Sequence, residues 1–151
     1  MTFLDPTLES FQKHISKLTA ETPAEWGRMS AQGMVEHLSD WLDLASTPDN
    51  GFSLEIPEDK VPKAQAFLFS EHPLPRNFQV KFLPPETNHR NESLPEAIEE
   101  FESKWSAFEE FHKNNPGVEI MHPSFGMLDH KKLMALHGKH MTHHFQQFNL
   151  V

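Results

Sequence analysis

Histidines carry most of the chemistry open to this chain. Seven of its 11 histidines (His112, His122, His130, His137, His140, His143 and His144) fall in the last 40 residues, interleaved with Met and Phe at helical spacing. Of these, His140 and His144 stand at i, i+4, the spacing that lets two imidazoles on one helix face converge on a single ion. At ~100° per residue, the mean direction of Leu133, Met134, Leu136, Met141, Phe145 and Phe148 defines the apolar face. His137 lies about 20° from it, His144 about 40°, His140 about 80° and His143 about 140°. His143 is thus expected to face solvent and to stay out of the ligand set. Spacing alone does not supply a third ligand, and His14, His37, His112, His122 and His137 all remain open. An i, i+4 pair also arises by chance in a chain this rich in histidine, and a lone histidine at a stripe's edge is ordinarily just hydrogen-bonded.

His37 presents a picture matching that of His140. The residues Met34, Val35, Leu38, Trp41, Leu42 and Leu44 centre about 80° from it, so both histidines sit at the rim of an apolar stripe. Two packed helices leave a solvent-reached groove at such rims. Asp40, one turn after His37, could add a carboxylate or serve as a general base. Gln147, one turn beyond His144, could orient a ligand imidazole or merely face solvent. His122, in a proline-containing loop, points into the groove or caps that loop. His137 reads as packed in the core or placed behind a ligand. Trp26, Trp41 and Trp105 read as core.

Four helices must position these side chains. The first is expected from Asp5, an N-cap followed by Pro6, to Leu18, with Leu8, Phe11, Ile15 and Leu18 at helical spacing. The second runs from Ser30 as N-cap to about Ala45, ended by Pro48 and Asn50-Gly51. The third opens with Pro95 as its first residue and closes at Asn114-Asn115-Pro116-Gly117. The fourth runs from about Asp129 to Phe148. Between Thr47 and Ser93 lie seven of the 12 prolines and no long periodic run. There Lys63–Glu71 suggests a short helix and Phe78–Leu83 a short extended piece. The pattern predicts one all-α domain over residues 1–151, a four-helix bundle with a long proline-rich crossover between helices two and three. The glutamates at 96, 99, 100, 102, 109 and 110 read as the solvated face of the third helix.

Composition narrows the function. The chain has no cysteine, which excludes disulfides, thiolate metal sites and Cys nucleophiles, and no tyrosine beside 13 phenylalanines. Its formal net charge of −9 argues against an electrostatic grip on nucleic acid. With no apolar run of the ~18 residues a membrane span needs and no basic-then-apolar start, a cytoplasmic location is expected.

Two segments resemble a known family. Trp26-Gly-Arg-Met-Ser-Ala-Gln-Gly-Met-Val-Glu-His37-Leu is similar to the second-helix signature of the DinB/YfiT-like metalloenzymes. His122-Pro-Ser-Phe-Gly-Met-Leu, followed by His140-x-x-His143-His144-x-x-Gln147-Phe148, resembles the C-terminal signature of an uncharacterised branch of that superfamily. The resemblance implies a four-helix bundle with a three-histidine site: one ligand matching His37, two matching His140 and His144, and nickel or zinc as the ion. It also implies a homodimer, while the thiol-cofactor pocket of the family's transferases has no clear match here. Three neutral nitrogens leave a fourth position for water or substrate, the pattern of catalytic zinc. Such an ion could acidify a bound water toward pKa ~7 or polarise a substrate oxygen or thiol. The leading expectation is therefore a metal-dependent hydrolase or group transferase acting on a small molecule. The alternatives are a non-catalytic metal-binding or stress-associated protein, and a bundle whose role is dimerisation.

Overall fold

The computed structural model describes residues 2–76 and 89–151, and is mostly helical with one small sheet. In chain order it comprises α1 (Leu8–Ile15), α2 (Ala31–Leu44), a 3-10 turn (Glu58–Lys60), α3 (Val61–Leu68) and α4 (Leu94–Asn114). The strands β1 (Ile120–His122) and β2 (Gly126–Leu128) follow, and α5 (His130–Gln147) ends the order. No helix among the described residues is long and apolar enough to cross a membrane.

Side-chain caps set three helix starts where the sequence places them, or one residue away. Ser30 accepts from the Gly33 N–H and Asp129 from the Lys132 N–H, so α2 and α5 begin as expected. Ser93 caps α4, which makes Leu94 rather than Pro95 its first residue. The first helix is a correction. Thr7, not Asp5, is the cap, its hydroxyl accepting from the Ser10 N–H, and α1 ends at Ile15 rather than Leu18. Two forces shorten it. The Leu4 N–H is drawn to Thr142 Oγ1 on α5 at 2.9 Å, so residues before Thr7 follow α5 instead of coiling. At the other end the Ser16 hydroxyl donates to the Lys13 carbonyl, and the last turns close as i→i+3 bonds. Gly138 permits the crossing: a Cβ there would stand 3.1 Å from the Leu4 carbonyl oxygen.

A second correction concerns the hairpin. β1 and β2 pair antiparallel with Ile120 opposite Leu128 and His122 opposite Gly126, in a chain expected to be all-α. Three-residue strands are too short for alternation to show in sequence. Burial holds the hairpin instead, since Ile120, Phe125 and Leu128 are all buried. The short helix forms at Val61–Leu68 rather than Lys63–Glu71, with Pro62 in its first turn, where a missing N–H costs nothing. The expected extended piece at Phe78–Leu83 lies outside the described residues.

One contiguous apolar cluster draws on α1, α2, α4, α5 and the hairpin. α2 packs along α4, and α3 lies against α5. Phe11 of α1 stacks on Phe101 of α4 at 3.8 Å between ring centroids and tilts against Phe145 of α5 at 6.0 Å. Each such ring contributes ~1.5–3 kcal/mol by burial. Asn50 ties the end of α2 to the hairpin, its amide donating to the Leu44 and Met121 carbonyls. Lys139 on α5 is 1% exposed, and burial lowers its pKa. Its ammonium donates to the Ser70 carbonyl at 2.9 Å and to that of His72, and lies 4.0 Å over the Phe3 ring and 4.6 Å over Phe67.

Candidate metal centre

α2 and α5 bring together three imidazoles from positions far apart in the chain. The Nε2 atoms of His37 and His140 lie 3.1 Å apart, and those of His140 and His144 lie 3.0 Å apart. The rings meet edge to face, with centroids 4.6–5.0 Å from one another. His37 and His140 are half-buried, while His144 is buried. Among the described residues this is the one group of three or more His, Cys, Asp or Glu side chains able to share an ion.

The electrostatics favour neutral, donating nitrogens. Burial pushes the His37 pKa down to about 4, with nearby His143 adding to the effect. Burial, and then the neighbouring imidazoles, hold His140 and His144 well below the ordinary value of 6.5. His144 Nδ1 bonds Gln147 Oε1 at 2.7 Å. An amide oxygen only accepts, so His144 carries its hydrogen on Nδ1 and turns a bare Nε2 lone pair on the other two rings. A proton at His140 Nε2 would have to be split between two nitrogen acceptors. A cation would satisfy all three at once. Metal–nitrogen distances of ~2.0–2.1 Å at tetrahedral angles set donor nitrogens ~3.3 Å apart, close to the 3.0 and 3.1 Å that separate His140 Nε2 from its two neighbours. The residues fit a divalent ion.

The other histidines lie elsewhere. His143 departs from the expected solvent-facing position: it is half-buried, with its ring edge-on to Trp26 at 5.6 Å and to His144 at 4.9 Å, and it donates to the Leu74 carbonyl. It stays outside the triad because that bond and Trp26 hold it on the flank. His137 packs edge-on against Phe108 at 4.9 Å, and its buried Nε2 has no hydrogen-bond partner. His112 donates to the Ala45 carbonyl, and His14 Nδ1 bonds the Ser10 carbonyl. His122 is buried; its Nδ1 accepts from the Ser124 N–H at 3.0 Å, which leaves its hydrogen on Nε2. Burial takes its pKa down to about 3.

An aromatic wall adjoins the triad. Trp41 stacks on His122 at 4.8 Å and on Phe52 at 5.8 Å, and stands edge-on to His140 at 6.2 Å. Asp40 is paired with Arg90 at 2.9 Å, and burial raises its pKa despite that cation. Sequence reasoning missed the network that seats Asp40. Arg90 also binds Glu100, and Glu36, only 3% exposed, accepts from the Arg90 and Asn91 N–H groups and from Gln32. The helical wheel hides this network, because Glu36 lies nearly opposite the apolar stripe of α2, where a carboxylate ordinarily faces water; Gln32 one turn before it was the one local signal.

Comparison with protein-family models, with curated proteins and with solved structures returns no match for this chain.

Proposed function

We propose that this protein is a divalent-metal-dependent enzyme acting on a small molecule, of hydrolase or group-transferase type, with His37, His140 and His144 as its metal ligands. The observation that carries the reading is the convergence of three imidazoles, with His140 Nε2 lying 3.1 Å from His37 Nε2 and 3.0 Å from His144 Nε2, the last with its lone pair fixed by a hydrogen bond on the far side of the ring. We further propose that α1, α2, α4 and α5 form a four-helix bundle of the DinB/YfiT-like kind, with the segment bearing α3 as its crossover. Two features support that: the two sequence signatures, and the shared apolar cluster of those four helices. Nickel or zinc suits an all-imidazole donor set.

A bound ion would supply a Lewis acid whose charge no anionic ligand offsets. The chain's own residues do the rest. No fourth His, Cys, Asp or Glu joins the three among the described residues, which leaves a coordination position for an oxygen or sulfur donor. Two of the three ligands are half-buried, so the group is reachable from outside. Trp41, backed by Phe52 and His122, supplies an apolar surface beside His140 for the organic part of a substrate. One observation favours the second reading, a non-catalytic metal-binding or stress-associated protein. Asp40, the carboxylate best placed in sequence to act as a base, is occupied by Arg90.

Metal analysis and Zn²⁺ or Ni²⁺ titration of untagged protein test the proposal. Wild type and His143→Ala should bind about one ion per chain, and His37→Ala, His140→Ala and His144→Ala should each lose it. Binding that survives any of the three, or that His143→Ala abolishes, would overturn the ligand assignment. Turnover on panels of esters, amides and thiol acceptors then separates enzyme from metal carrier.

A further inference from the structure

The turn Glu25–Trp26–Gly27 is fastened to the C-terminal end of α5 at Gln147. The Glu25 N–H donates to the Gln147 carbonyl at 2.7 Å, and the Gln147 side-chain nitrogen donates to the Trp26 carbonyl at 3.0 Å. That second bond decides which way the Gln147 amide faces. With its nitrogen committed to Trp26, its oxygen faces His144 Nδ1 at 2.7 Å. Gln147 is 5% exposed, so water does not compete freely for either group. Gly27 adopts φ +77°, and a Cβ there would stand 3.1 Å from the Gln147 side-chain nitrogen. Backbone conformation and space thus both call for glycine where the turn meets the amide. Three links run in series: a main-chain carbonyl orients an amide, the amide fixes a tautomer, and the tautomer bares a nitrogen.

We infer that the Glu25–Gly27 turn is a positioning clamp for His144, acting through Gln147 to hold the Nδ1–H tautomer and so set how tightly the three-histidine site retains a divalent ion. The inference rests on the metal reading above. It adds that affinity is governed from a turn more than 100 residues away in sequence, by groups that touch no metal. A hydrogen-bond partner behind a ligand histidine typically accounts for 10–100-fold in affinity.

The test uses full-length protein, Zn²⁺ titration against a competing chelator, and long-range ¹H–¹⁵N spectra of the His144 ring in the metal-free state. Gln147→Leu should weaken Zn²⁺ by roughly 10–100-fold and give His144 a mixture of tautomers, with the helical circular dichroism retained. Gln147→Glu keeps an acceptor behind Nδ1, so it should hold Zn²⁺ about as tightly as wild type and keep the Nδ1–H form. Gly27→Ala, which strains the turn at its positive φ and sets a Cβ against the Gln147 side-chain nitrogen, should weaken Zn²⁺ several-fold. Wild-type affinity and an unchanged tautomer in Gln147→Leu would overturn the clamp while leaving the metal reading intact. Failure of wild type to bind Zn²⁺ or Ni²⁺ would overturn both.

Discussion

A buried imidazole kept neutral is a liability in acid, and this chain has several. His137 and His122 both have pKa values pushed down by burial to about 3, against 6.5 in an unfolded chain. Below pH 6.5 the unfolded chain takes up these protons and the folded one does not. Their contribution is therefore complete above about pH 6.5 and is lost progressively as pH falls toward 3, at up to ~1.4 kcal/mol per pH unit for each group. His137 is the cleaner probe, because it lies between Trp105 and Phe108 with an unpartnered Nε2 and takes no part in the triad. His137→Leu is expected to raise stability at pH 7 by about 1 kcal/mol, by removing an unsatisfied polar atom. It should also flatten the decline between pH 6.5 and 4. Urea unfolding of chelator-treated protein at several pH values checks both outcomes, and a slope as steep as wild type would refute the assignment to His137.

At the scale of elements, what the sequence made legible was periodic and capped. α2 and α5 were readable because apolar residues recur at helical spacing behind Ser30 and Asp129; the same wheels put His37 and His140 at groove rims, and the i, i+4 spacing put His144 on the same side as His140. What stayed hidden depends on partners distant in sequence. α1 starts late because Leu4 answers to Thr142, the hairpin exists because its apolar residues are buried by the helices, and His143 is covered by Trp26 and Leu74. Glu36 belongs to the same hidden class. Burial alone would raise its pKa, but bonds from the Arg90 N–H, Gln32 and Asn91 outweigh it and hold the carboxylate below its ordinary value. It pins residues 90 and 91 to α2, beside the start of α4. Glu36→Gln sets an amide NH₂ against donors and should cost ~1–3 kcal/mol in chemical unfolding. Metal stoichiometry should be unaffected, since Glu36 is outside the triad.

For the whole molecule, a metal at the triad would join α2 to α5 across the sequence separation of 103 from His37 to His140. A chain without cysteine has no disulfide to close so long a loop. Binding to the folded state alone raises stability by ~2.7 kcal/mol when free ion exceeds its dissociation constant 100-fold. Scanning calorimetry should therefore show a higher Tm with Zn²⁺ or Ni²⁺, reversed by chelator and absent in His140→Ala. The metal-free protein should still unfold cooperatively, because its aromatic core does not involve the ligands. The enclosure of Lys139 has a separate consequence. Between two carbonyls and two ring faces, its amine is shielded from acylating reagents for as long as the N-terminal segment, the residues after α3 and α5 stay together. Exposed lysines label at once. The moment Lys139 becomes acylated therefore times the separation of those segments, a clock for opening that the fold carries without an added probe.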